Sequence, residues 1–413
     1  LSKKYILGID LGTTRAKVMI ADRDARQAGF ESAELIILKP KTGYVEQDPI
    51  YIWDSVYKLI LKVLVNNKIA PKQIAAIGIT NQRETTVVWN KNTGIPYGNA
   101  VVWLDKRAEA LCGLFSEKIN SKAVERVGMF TIPNTAAMIL SWILRNDISV
   151  KKGVENGEAV FGTLNSWLLW KLTGGKAHYT DISNMSVTQL QNAKELAYDQ
   201  EMLDILQIPK HILPEIKGTG EIYGCTDESL FSGEKIPVAG MLGDQMAAVL
   251  GQGCVNKGMV KSTYGTGSFT VMNTGKKYVP PTSGLFSPLL WGNKDTPTYG
   301  LEGFLEIHGE HTDKAVIKTI VEQTTDILKT MEKVTGQNIS VLRIDGGMSK
   351  NDHLCQYQAD ILEKPVERPA ISEATVLGAV FQAGLTIGFW DSLEEIGSLW
   401  KMEKRFEPKV LRK

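Results

Sequence analysis

Four short stretches of the chain hold residues whose types and spacing could bind an anion or orient a hydroxyl. The first, Asp10-Leu11-Gly12-Thr13-Thr14, interrupts two apolar strand-like runs, "KYILGID" and "AKVMIAD". A tight turn of glycine and hydroxyls exposes backbone N–H groups, which with the Thr hydroxyls form a nest for an anion such as phosphate. Glycine also lets the backbone approach the anion closely. Asp10 stands where it could hold Mg²⁺ through water, and Lys17 offers positive charge; magnesium favours one or two carboxylates together with phosphate oxygens. The same residues would equally serve an ordinary turn in which Asp10 caps its own backbone. The second stretch, "TYGTGSFTVM" from residue 263, lines up with "DLGTTRAKVM" from residue 10, each reading strand, Gly-Thr turn, strand. Two such turns could face one ligand from opposite walls of a cleft. The third is Gly243-Asp244, a strand-to-helix turn where an Asp is by default a helix cap. The fourth is Arg83-Glu84, just beyond the apolar run "IAAIGIT". An adjacent cation and carboxylate can orient hydroxyl groups, one donating and the other accepting.

Positioning these stretches requires alternating strands and helices. The chain begins with paired strands, then "DPIYIWDSVYKLILKVLVNN" carries apolar residues at helical spacing after an Asp-Pro start. A second run of the same grammar starts near residue 236 with "IPVAGML" as a strand and "QMAAVLGQG" as a helix. With 413 residues, the chain exceeds what one core usually supports. Two α/β domains are expected, 1–239 and 240–413. Lys plus Arg number 47 and Asp plus Glu 46, so no net field draws nucleic acid or an anionic membrane. Four scattered cysteines fit reduced thiols in a cytoplasm. The apolar start ends at Asp10, too short for a signal sequence, and "TAAMILSWILRN" falls short of a membrane span. No G-x-x-x-x-G-K-[ST] occurs, which argues against a P-loop enzyme.

Motifs spread nearly end to end, including "GIDLGTTRAKVMIAD", "GITNQRETTVVWNKNTG", "FGTLNSWLLWKLTGG", "LGDQMAAVLGQG", "DGGMSKNDHLCQYQADILEKPVERP" and "EATVLGAVFQAG", keep the order of the FGGY carbohydrate kinases. The chain resembles that family, and its glycerol-phosphorylating members most. The resemblance implies two actin/sugar-kinase-type (ribonuclease H-like) ATPase domains flanking a central cleft. It implies transfer of the γ-phosphate of ATP, with Mg²⁺, to a primary hydroxyl of a small polyol, glycerol first. Asp244 would be the general base. Arg83, Glu84, Trp103, Asn134, Gln245 and Phe269 would join it around the polyol. Thr13, Thr14, Lys17, Thr266, Gly267, Gly347 and Asn351 would contact ATP, and Asp10 the metal. A homodimer or higher homo-oligomer is expected. A kinase for another sugar such as xylulose, an actin-like ATPase and a non-catalytic relative are the alternatives.

Departures cluster near the substrate and the nucleotide. Asn134 stands where the family's glycerol kinases place Tyr, and Leu104 where they place Gln. Full-length relatives carry a substantial block, part of which helps hold the nucleotide, where this chain passes directly from Ile307 to His308. His308 and His311 would share a helix face, but no third ligand is evident and an exposed loop is the better expectation. Gly346-Gly347 could equally be a plain strand-to-helix turn with Ser349 as its cap.

Overall fold

Each half of the chain builds a sheet by the same moves. A computed structural model describes residues 3–265, 267–306 and 314–409. In the first sheet β1 (Tyr5–Leu11), β2 (Arg15–Ala21) and β3 (Gln27–Glu34) form an antiparallel meander. On the other side of β1 follow β4 (Ile74–Asn81), β5 (Gly224–Cys225) and β6 (Pro237–Gly243). Of these, β4 and β6 run parallel to β1, and β5 closes the edge antiparallel. In the second sheet β7 (Val260–Tyr264), β8 (Gly267–Gly275), β9 (Leu289–Trp291) and β10 (Thr298–Glu306) are the antiparallel part. Then β11 (Leu342–Asp345) and β12 (Val366–Pro369) add in parallel beside β7, and β13 (Met402–Phe406) lies antiparallel at the edge. The duplicated order explains the repeated Gly-Thr turns. Each joins the first two strands of its sheet.

Helices cover these sheets for reasons visible in their residues. In α1 (Pro49–Asn66), Asp48 caps the start by accepting from the Ile50 and Tyr51 N–H groups, and proline at the first position needs no N–H partner. Its buried stripe of Ile52, Val56, Leu59, Ile60 and Val63 packs against β2 and β3. Each such fully buried side chain contributes about 1.5–3 kcal/mol. Next come α2 (Ala136–Asn146) and α3 (Asp244–Gly251), then α4 (Lys314–Thr335) and α5 (Asp352–Leu362) against the second sheet. Beyond these, α6 (Ala374–Thr386) crosses back to the first sheet.

That return is made possible by a row of glycines. Gly8, Gly78 and Gly240 lie opposite one another on β1, β4 and β6. A Cβ at Gly78 would stand 2.0 Å from the Ala379 carbonyl oxygen, and one at Gly240 2.7 Å from the Ala383 backbone nitrogen. Further on, α3 and α6 touch backbone to backbone: a Cβ at Gly378 would fall 1.8 Å from the Ala247 carbonyl oxygen.

The expected division between 239 and 240 cuts through β6, which pairs with β4 in the first sheet. Every residue of β6 after Pro237 is buried, as a central parallel strand requires, so the chain leaves the first sheet only after α3. Among the described residues no helix is long and apolar enough to cross a membrane.

Candidate active site

The residues expected around a polyol, with Thr13 and Gly267 expected at ATP, come from six different places in the chain and meet in one cavity of about 240 Å³. Arg83 and Glu84 follow β4, Thr13 lies in the β1–β2 turn, and Trp103 follows a short strand at 100–101. Asn134 precedes α2, Asp244 and Gln245 open α3, and Gly267 and Phe269 begin β8. All nine line the cavity, together with Glu302 and Phe304 of β10.

Arg83 organises the charged end. Its Nη1 and Nη2 donate to the two Glu302 oxygens at 2.7 and 2.6 Å, and its Nε donates to Asp244 Oδ1 at 3.1 Å. Such a forked pair fixes the guanidinium plane as well as its position. Asp244 Oδ1 also accepts from the Gln245 N–H at 2.7 Å, and Oδ2 has no protein partner among the described residues. Burial pushes the Asp244 pKa up while Arg83 pulls it down. Glu302 was missed in the sequence; the available signal was a carboxylate in an otherwise apolar strand, "TYGLEGF".

Glu84 is held in the left-handed region at φ +69°, where a non-glycine residue is strained. Its Oε2 accepts from the Ala136 N–H at 2.6 Å, at the start of α2. Burial raises its pKa to about 8 against the pull of that N–H and of Arg83. Across the cavity Trp103 donates its Nε1–H to Thr13 Oγ1 at 2.9 Å and meets Phe269 and Phe304 edge to face. Asn134 donates to the Trp103 carbonyl at 2.6 Å, so part of its amide supports the wall.

The expected phosphate and metal residues are divided. Asp10 and Lys17 sit opposite each other on β1 and β2, 3.8 Å apart, and Lys17 pairs more closely with Glu373 at 2.6 Å. Burial lifts Asp10 to about 7 despite Lys17. Thr14 is exposed beyond the cavity lining. Gly346 takes φ +87° against the Tyr264 backbone, and a Cβ at Gly347 would meet no atom within 4 Å. Asn351, not Ser349, caps α5, accepting from the His353 and Leu354 N–H groups at 3.0 and 3.4 Å. Neither Gly347 nor Asn351 reaches the cavity of Asp244. Thr266, the junction of Ile307 with His308, and His311 lie outside the described residues. Among the described residues no three His, Cys, Asp or Glu side chains gather as a metal site.

Duplicated sheets, each turning its first hairpin toward a shared cleft, are the architecture of the two-domain sugar kinases. Profiles of the N-terminal and C-terminal domains of the FGGY family of carbohydrate kinases match residues 5–251 and 310–387. The chain belongs to the FGGY family of carbohydrate kinases. It is 40% identical to the glycerol kinase of Borreliella afzelii, over 98% of this chain and 94% of that protein. It is 38% identical to glycerol kinase 2 of Thermotoga maritima, over 98% and 95%. The Plasmodium falciparum glycerol kinase structure with ADP superposes with a TM-score of 0.92 at 30% identity, over 99% of this chain and 95% of that one. A xylulose kinase from Lactobacillus acidophilus, at 20% identity, shares the fold with a TM-score of 0.85, covering 98% and 94%. The alignment with the Borreliella protein runs to 472 positions, more than the 413 residues of this chain, so that relative carries residues without a counterpart here.

Proposed function

We propose that the protein is an ATP-dependent kinase that phosphorylates a primary hydroxyl of a small polyol, glycerol first among them. The observation that carries this reading is the sharing of one cavity by Asp244, its partner Arg83, and residues of both Gly-Thr hairpins. Asp244 takes the proton as the polyol oxygen forms its bond to the γ-phosphorus, while the bond to the bridging oxygen breaks and ADP leaves. Phosphoryl transfer asks little covalent chemistry of a protein, so aiming and charge neutralisation supply most of the catalysis. Arg83 keeps Asp244 aimed, Glu84 accepts or donates to a polyol hydroxyl, and Trp103 with Phe269 flanks the carbon chain. Backbone N–H groups of the two turns hold phosphate oxygens. Asp10 suits Mg²⁺, which neutralises phosphate charge when bound; its single carboxylate at the first Gly-Thr turn fits a metal carried largely by the nucleotide.

A larger polyol or ketose is the second reading, favoured by Asn134. A short side chain stands at this place in the wall, and Met129, Ile132, Val187 and Phe286 continue the lining. The decisive test is ADP release over glycerol, dihydroxyacetone and xylulose, by the intact protein and by Asp244→Asn. Release that ignores the added acceptor, or that survives Asp244→Asn, contradicts the proposal.

A further inference from the structure

Lys261 of β7 is wholly buried, yet no carboxylate lies within ion-pair distance of it among the described residues. Its Nζ donates to Gln245 Oε1, to Thr263 Oγ1 at 2.8 Å and to the Phe269 carbonyl at 3.5 Å. Three acceptors face the three protons of an ammonium, which can only donate. Gln245 lines the cavity, and its Nε2 has no protein partner among the described residues.

We infer that Lys261 fixes the Gln245 amide with Oε1 turned inward and Nε2–H₂ presented to the cavity, so that this position donates to an accepting polyol oxygen. A free glutamine amide could offer either end, because flipping it costs little when nothing distinguishes oxygen from nitrogen. Placing Nε2 against the ammonium would oppose two donors, so the flip is closed. Lys261 is thus a positioning residue, and the specificity it confers is for a hydroxyl that accepts. Burial draws its pKa down, while the fields of Asp345, Glu302 and Asp244 draw it up. The same ammonium ties Gln245 to Thr263 and Phe269, the strand ends on either side of the second Gly-Thr turn. Polyol contact and phosphate hairpin therefore move as one piece.

This inference rests on the polyol-kinase reading, and the test separates the two. Glycerol KM and kcat by coupled ADP release, and glycerol affinity by calorimetry, are compared for the intact protein, Gln245→Glu and Lys261→Met. Gln245→Glu keeps an acceptor toward Lys261 but offers only acceptors to the cavity. Its KM and dissociation constant are expected to rise at least about tenfold, with a smaller loss in kcat. Lys261→Met is expected to raise KM in the same sense. Values for Gln245→Glu within about twofold of the intact protein overturn the inference. If neither variant folds, the crystal structure of the intact protein with glycerol decides. A glycerol oxygen within about 3.2 Å of the amide atom facing away from Lys261 supports it, and no contact with Gln245 overturns it. Glycerol binding by the intact protein without turnover would instead sink the kinase reading and leave the amide test standing.

Discussion

At the scale of residues, the chemistry concentrates in groups whose charge is costly where they stand. Asp244→Asn removes the base while keeping an oxygen for Arg83, so kcat should fall by about 10²–10⁴ with the melting temperature nearly unchanged. Turnover within tenfold of the intact protein would assign the proton to another group. Glu84 gives a pH signature. Its pKa rises from the ordinary 4.5 to about 8 in the folded, ligand-free protein, mainly through burial. Between those values the folded state holds a proton that the unfolded state has released, so Glu84 makes stability fall as pH rises through the window. Glu84→Gln should flatten that decline in thermal unfolding between pH 5 and 8; an unchanged slope would mean that Glu84 ionises normally. Arg83, Glu84 and Asp244 were singled out through the family resemblance, since by themselves a charge near a strand end reads as solvated and an Asp before a helix as its cap. Glu302 was not, since its partner lies 219 residues earlier and only folding brings them together. Asn351, expected at the nucleotide, also caps α5 with its amide oxygen, a use that the motif did not reveal.

At the scale of elements, the glycine row on β1, β4 and β6 is what lets α6 lie flat on the first sheet. Gly78→Ala forces a methyl against the Ala379 carbonyl. The helix or the strand must shift, and overpacking of this kind costs about 1–3 kcal/mol. Urea unfolding should show a lowered midpoint, and kcat should fall too, because α6 also braces α3, which carries Asp244. A midpoint equal to that of the intact protein would mean that the packing yields without cost. The strands themselves were readable from apolar runs and turn residues. The partner of β6 was not, since "IPVAGML" carries no mark of which sheet it joins and pairs with a strand about 160 residues earlier.

At the scale of the whole molecule, the two sheets are bridged across the cleft. The Arg83–Glu302 pair spans them, and Trp103, beyond the strand at 100–101 of a separate four-stranded sheet, packs on Phe269 and Phe304 of the second. Because both charges are nearly buried, added salt should screen the bridge weakly. Glu302→Gln should loosen the closed arrangement, enlarging the radius of gyration in small-angle scattering without ligands. Glycerol and nucleotide together should restore it. An unaltered radius would place the hinge restraint elsewhere, in the helix pair α3 and α6. The duplicated plan was visible in the sequence as two matching Gly-Thr stretches. The expected boundary at 239/240 fell inside β6 because the chain crosses between sheets more than once.

The return of α6 has a consequence for synthesis. All strands of the first sheet have been synthesised by residue 243, yet the helix that covers its glycine row spans 374–386. Until then that face has no cover of its own and stays open to water or to chaperones. A chain terminated anywhere before 374 would therefore yield no smaller working kinase, only a first domain lacking its roof.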